Sequence, residues 1–245
     1  MDEVTGRRSS VPGRPIQPTT ANRDTRHALE DPRALTILTT EHLSLISARS
    51  LVYNETFARG GMFLTFLSAS LVALGLVSAS TGFSRDFVVV ATAVLGLDLF
   101  IGLATMFRVG AANAEAMRYL QGMNRLRHAY DEAVPGLEAY FVTGSHDDLQ
   151  AVSPQLTSRD IVPYHFATMP GMLGTICAAV AAAMTALLVL LWTNSASGAA
   201  IAGCVGFAAV LVGSAMLMGR WIRGVTSSFD ARFPGPSNTE NADGR

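Results

Sequence analysis

At 245 residues the chain is long enough for one or two soluble domains, but 49% of it is hydrophobic, only 15% is charged, and the apolar residues come in blocks rather than in amphipathic alternation. That is the pattern of an all-α, multi-pass membrane protein. The formal charge of −1 names no partner, and every basic residue is arginine, which removes the P-loop lysine, the Schiff-base lysine and the Ser-x-x-Lys nucleophile from consideration.

Residues 1–33 are rich in Arg, Pro, Ser and Thr without periodic apolar positions, and read as a disordered basic tail. Asp31-Pro32 has the form of a helix start, and residues 34–60 are expected as an amphipathic helix outside the membrane. Leu38, His42, Leu45, Arg49, Val52 and Tyr53 fall on one face of it, within about 100° of each other. The first 58 residues hold no apolar block, so the first span is expected to act as its own insertion signal.

Residues 61–108 form the first hairpin, with apolar runs at 61–80 and 87–107 joined by a polar turn. Each run is about 20 residues, or about 30 Å as a helix, which matches the hydrocarbon core of a bilayer. Nothing breaks the helix after Phe107, so it is expected to continue to about Ala133. Ala112, Ala116, Tyr119, Met123, Leu126, Tyr130 and Ala133 make one stripe of it, with Arg118, Arg125 and Glu132 on a flank. Pro135-Gly136 ends it. Residues 109–170 thus comprise this extension and a polar connector, with a possible short helix at 137–142 and Pro163 and Pro170 bracketing a membrane-surface segment around Tyr164-His165-Phe166. A second hairpin spans 171–221, with runs at 171–192 and 199–221, and residues 222–245 read as a disordered polar tail.

Arginine placement sets the orientation. The two short turns within the hairpins contain Arg85 and nothing else basic, which puts both termini and the long middle loop in the cytoplasm. Trp192 and Trp221 fall at opposite water interfaces, as expected of an aromatic belt. Gly174, Ala178, Ala182 and Ala186 recur every four residues in the third span, and the fourth pairs Ala202 with Gly206 and Ala209 with Gly213. Such small-residue ladders let neighbouring backbones approach, either within one chain or between copies.

Asp98 is the one ionisable group near the middle of a span. A carboxylate there costs about 2.5–3.5 kcal/mol on insertion scales and must face protein or water. With no Arg or His deep inside a span to pair with it, two readings stay open: a hydrogen-bonded contact between helices, and a proton or cation relay in a channel or transporter. Arg49 and Glu115 are a second candidate, read either as an ion pair fixing the register of the two extramembrane helices or as two solvated side chains. His146-Asp147-Asp148 lacks metal-ligand spacing and reads as a solvated turn. Cys177 and Cys204 lie at different depths in their spans, too far apart for a disulfide, and read as packing residues. No motif for a catalytic centre, cofactor, metal or nucleic acid is found.

The segments Ser47-Ala-Arg-Ser-Leu-Val-Tyr-Asn-Glu55 and Gln121-Gly-Met-Asn-Arg-Leu-Arg-His-Ala-Tyr130, with the order of spans around them, resemble a group of uncharacterised bacterial four-span membrane proteins, many from actinobacteria. The likeness covers about residues 39–225 and implies a place in the bacterial cell membrane but no activity. The layout also resembles, more distantly, the two-span SLATT-type membrane effectors. The expected function is a non-enzymatic, homo-oligomeric membrane scaffold or sensor with a cytoplasmic helical stalk, its partners being the lipid bilayer and further copies of itself. The alternative is a channel or transporter using Asp98, and any small-molecule ligand is left unidentified.

Overall fold

A computed structural model describes residues 28–152, 168–193, 195–227 and 229–235. The expected basic tail up to residue 27, the surface segment around Tyr164-His165-Phe166 and the last ten residues lie outside the described residues. The fold is all-α. Two very long helices, α1 (Ala34–Thr81) and α2 (Arg85–Ala133), form an antiparallel hairpin, followed by a 3-10 turn (Leu137–Tyr140), a single helical turn α3 (Leu149–Val152), and the antiparallel pair α4 (Met169–Thr193) and α5 (Ala196–Thr226). α1, α2, α4 and α5 are each long and apolar enough to cross a membrane.

The helix boundaries follow local chemistry. α1 ends where Gly82, at φ +60°, takes a conformation that a side chain would disfavour, while its N–H bonds back to the Ser78 carbonyl. Ser84 caps α2 by accepting from the Phe87 N–H at 3.2 Å. Val134, extended as a residue before proline tends to be, and Gly136 at φ +92° stop α2 at Ala133. Pro170 occupies the first turn of α4, where its missing N–H costs nothing. Ser195 caps α5 through the Gly198 N–H, so the second turn is tighter than the expected Thr193–Gly198 loop. At the start of α1 the N-cap position is Arg33, which makes no side-chain cap; Asp31, two residues earlier and expected as the cap, accepts from the Arg33 N–H at 2.8 Å instead.

α2 packs along α1 and α4, and α4 packs along α5, so α2 and α4 form the centre of the bundle. Its core is Phe63 and Leu67 from α1, Leu95, Met106 and Val109 from α2, Leu173, Cys177 and Val180 from α4, and Met218 from α5. Three helices meet at Gly102, where an added Cβ would lie 2.6 Å from Cys177 Sγ of α4 and 2.7 Å from Phe63 Cζ of α1. Most other large apolar side chains of the spans point outward, as a lipid-facing surface requires. Past the bundle, the first half of α1 and the second half of α2 continue together as an extramembrane stalk.

Candidate functional site

Asp98 is fully buried between the spans. The Ser70 hydroxyl of α1 donates to its Oδ1 at 3.1 Å, while Oδ2 has no partner among the described residues. The carboxyl therefore joins α1 to α2 inside one copy of the chain and does not face the outer surface. Thr92, about 9 Å earlier on α2 at helical rise, has a shielded hydroxyl that is also unpartnered among the described residues. Spans 61–80, 87–107 and 171–192 contain no other Asp, Glu, His or Arg.

The small-residue ladders divide by helix. Gly174 and Ala178 are buried, with an added Cβ at Gly174 lying 3.2 Å from Met106 Sδ of α2 and 3.4 Å from Ser214 Oγ of α5. Gly203 fits against the Ala182 carbonyl and the Ala186 methyl, and Gly206 against the Thr185 side chain. Thr185 Oγ1 lies 3.2 Å from the Ala202 carbonyl, adding a polar contact between α4 and α5. Gly213 differs from expectation: an added Cβ there meets nothing within 4 Å. Gly203, one turn before Gly206, takes the close approach instead.

In the stalk, the two stripes read from the sequence face each other, apart from Tyr53, which is exposed. Val52 packs with Ala112, Ala116 and Tyr119, Leu45 abuts Gly122, and the His42 and Tyr130 rings lie 6.0 Å apart. The ion pair at this seam is a different one from Arg49–Glu115. Glu55 Oε1 accepts from Arg59 at 2.8 Å and from Arg108 at 2.9 Å, and these two hydrogen bonds hold its carboxyl below the usual range. Glu115 instead accepts from Tyr119 Oη at 2.7 Å, one turn along its own helix, a bond that raises the phenol's pKa. The Arg49 guanidinium lies over the Tyr53 ring, 5.2 Å from its centroid. The i, i+4 neighbour of each is nearer than the partner across the seam, and that decides the pairing.

The loop read as a solvated turn is buried. Ser145, Asp147 and Asp148 are all shielded, and Asp147 completely so. Its carboxylate accepts from Arg125 Nε at 2.6 Å, from the Arg232 N–H at 3.0 Å and from the Phe233 N–H at 2.7 Å. Burial pushes this carboxyl's pKa up, but the guanidinium and the two N–H groups together outweigh it and hold it low. Around this node Gln121 donates to the Asp147 and Asp230 carbonyls, Asn124 to the His146 carbonyl, and Arg125 Nη2 to the Asp230 carbonyl. Phe233 stacks on His128 with ring centroids 3.9 Å apart. Residues 229–235, expected to be disordered, are thus clasped onto the α2 extension. Sequence reasoning missed this clasp; its available signals were the polar flank Gln121-Arg125-His128 and the aromatic pair Phe229 and Phe233 in an otherwise polar tail.

Among the described residues no group of three His, Cys, Asp or Glu side chains is placed to hold a metal, and both cysteines are free. Four long apolar helices around one core, with a buried carboxyl and a polar extension at one end, define a multi-pass integral membrane protein of helical-bundle type. No family model, no curated protein and no solved structure matches this chain.

Proposed function

We propose that this chain is a non-enzymatic membrane scaffold or sensor that assembles with copies of itself through its stalk. The supporting observation is a second apolar stripe on α1, beside the one that packs on α2. Leu35, Leu43, Ile46, Tyr53 and Phe57 are all exposed, and they fall within about 80° of one another on the helix. From Leu43 the positions 43, 46, 50, 53 and 57 alternate three and four residues apart, the spacing of a coiled-coil seam, with Ser50 at the middle. In a span such side chains would face lipid. Here they precede the apolar run at Gly61 and face water unless a second helix covers them. The arginine distribution supports a cytoplasmic position for the stalk and both termini, in a bacterial cell membrane.

Counting subunits in nanodiscs tests the reading. Wild type is expected to be oligomeric, and Leu43→Glu with Phe57→Glu to dissociate it while leaving its helicity unchanged. A wild type that is monomeric at micromolar concentration would overturn it. The channel reading has one observation in its favour, the unpartnered Oδ2 of Asp98. Proton flux into vesicles that vanishes in Asp98→Asn would establish it.

A further inference from the structure

We infer that the stalk carries an anion site, formed by His42 and Arg49 of α1 and Arg127 of α2, which takes the phosphate group of a small soluble ligand. This goes beyond the scaffold reading and holds whatever the subunit number. The stalk register places the three together: Leu45 lies against Gly122 and His42 against Tyr130, so Arg127, one turn before Tyr130, reaches the stretch between His42 and Arg49.

None of the three has a carboxylate within ion-pair distance among the described residues. The acidic groups nearby on α2 are engaged elsewhere: Glu115 by Tyr119, Asp131 by the Glu138 N–H, and Glu132 by His128. Arg127 and Arg49 each have a neutral partner, Asn124 Oδ1 at 2.7 Å and Tyr53 Oη at 3.4 Å. Arg49 Nε and His42 Nδ1 are shielded from water and have no hydrogen-bond partner. The groups also feel one another. After burial, the Arg127 charge is the next cause lowering the pKa of His42, and Arg49 acts in the same way on Arg127.

Two guanidiniums and an imidazole turned into one seam without a counter-charge are unfavourable to the protein alone, and are relieved by an anion that accepts from both arginine forks. Two fixed positive charges match a phosphate dianion better than a monocarboxylate. Arg49 stands about 18 Å along the helix from Gly61, beyond the roughly 5–7 Å that lipid headgroups add to the hydrocarbon core on each side. A lipid phosphate therefore does not reach it.

The test is thermal unfolding of the full chain in nanodiscs of neutral lipid, titrated with inorganic phosphate at constant ionic strength. Wild type is expected to gain stability along a saturable curve, with sulfate acting similarly and chloride not. Arg127→Gln and Arg49→Gln are each expected to weaken the phosphate midpoint by about tenfold or more, the effect of losing a charge-assisted contact. In the absence of phosphate both variants are expected to melt at or above the wild-type temperature, because each removes a repulsion. Arg118→Gln, an exposed position on the same helix, is expected to keep the wild-type curve. The inference is overturned if wild type shows no saturable response, if chloride matches phosphate, if the response survives in both arginine variants, or if it appears only when anionic lipid replaces neutral lipid.

Discussion

Replacing Asp147 isolates the clasp that holds the chain's C-terminal segment on the stalk. The side chain is fully buried and accepts three hydrogen bonds, one from a guanidinium and two from backbone N–H groups of the tail. Removing one partner of a buried pair costs about 3–5 kcal/mol, because the other charge is left uncompensated. Arg125 is 32% exposed, so water recovers part of that loss. We therefore expect Asp147→Ala to weaken the clasp by about 2–3 kcal/mol, or about 30- to 150-fold in the opening equilibrium. Asp147→Asn, which keeps one oxygen acceptor, is expected to lose less. Hydrogen exchange followed by mass spectrometry reads this directly: peptides covering residues 229–235 and 143–148 lose protection by that factor, while those covering α1 and α4 do not change. Equal protection of residues 229–235 in wild type and Asp147→Ala would refute the reasoning.

The same node gives a pH dependence. The folded pKa of Asp147 lies below its unfolded value, so its contribution is complete at neutral pH and is lost as pH falls below about 4, through the folded pKa; the protection of residues 229–235, relative to the intrinsic exchange rate at each pH, should fall there before the spans open. Where α1, α2 and α4 meet, Gly102→Ala drives a methyl into Cys177 and Phe63 and is expected to cost about 1–3 kcal/mol, measured as a lower unfolding temperature in detergent. Gly213→Ala, where the added methyl meets nothing, is expected to leave that temperature unchanged or raise it slightly, through better helix propensity. Asp98→Asn is expected to fold, because an amide still accepts from Ser70, and vesicles carrying wild type or variant should show the same background proton leak; a leak specific to wild type would move the account to the channel reading.

The parts of this structure legible in the sequence are those set by short-range physics. Span length follows from the thickness of hydrocarbon, and the ends of α2 from Ser84 at one side and Pro135-Gly136 at the other. Helical period alone placed Val52 and His42 on the face that packs against α2. The seam pair shows where that arithmetic stops. Rise per residue gives register to within a turn, and within a turn Glu115 reaches Tyr119 before it reaches Arg49, while Glu55 finds Arg108. The clasp was further from reach because the bonds to the C-terminal segment join residues 85 to 109 positions apart, in segments with no periodicity to align them. An aspartate in a Gly-Ser-His-Asp-Asp loop looks the same on paper whether water or an arginine surrounds it.

The claim on which the rest depends is that α1, α2, α4 and α5 each cross a bilayer, with the stalk inside the cell. Single cysteines placed in a background free of Cys177 and Cys204 test it most directly, using a maleimide that does not cross membranes. Phe83→Cys and Ser197→Cys, in the two short turns, should label in intact cells, and Tyr140→Cys, exposed beyond the stalk, only after lysis. Labelling of Tyr140→Cys from outside, or of only one of the two turn positions, would contradict the account.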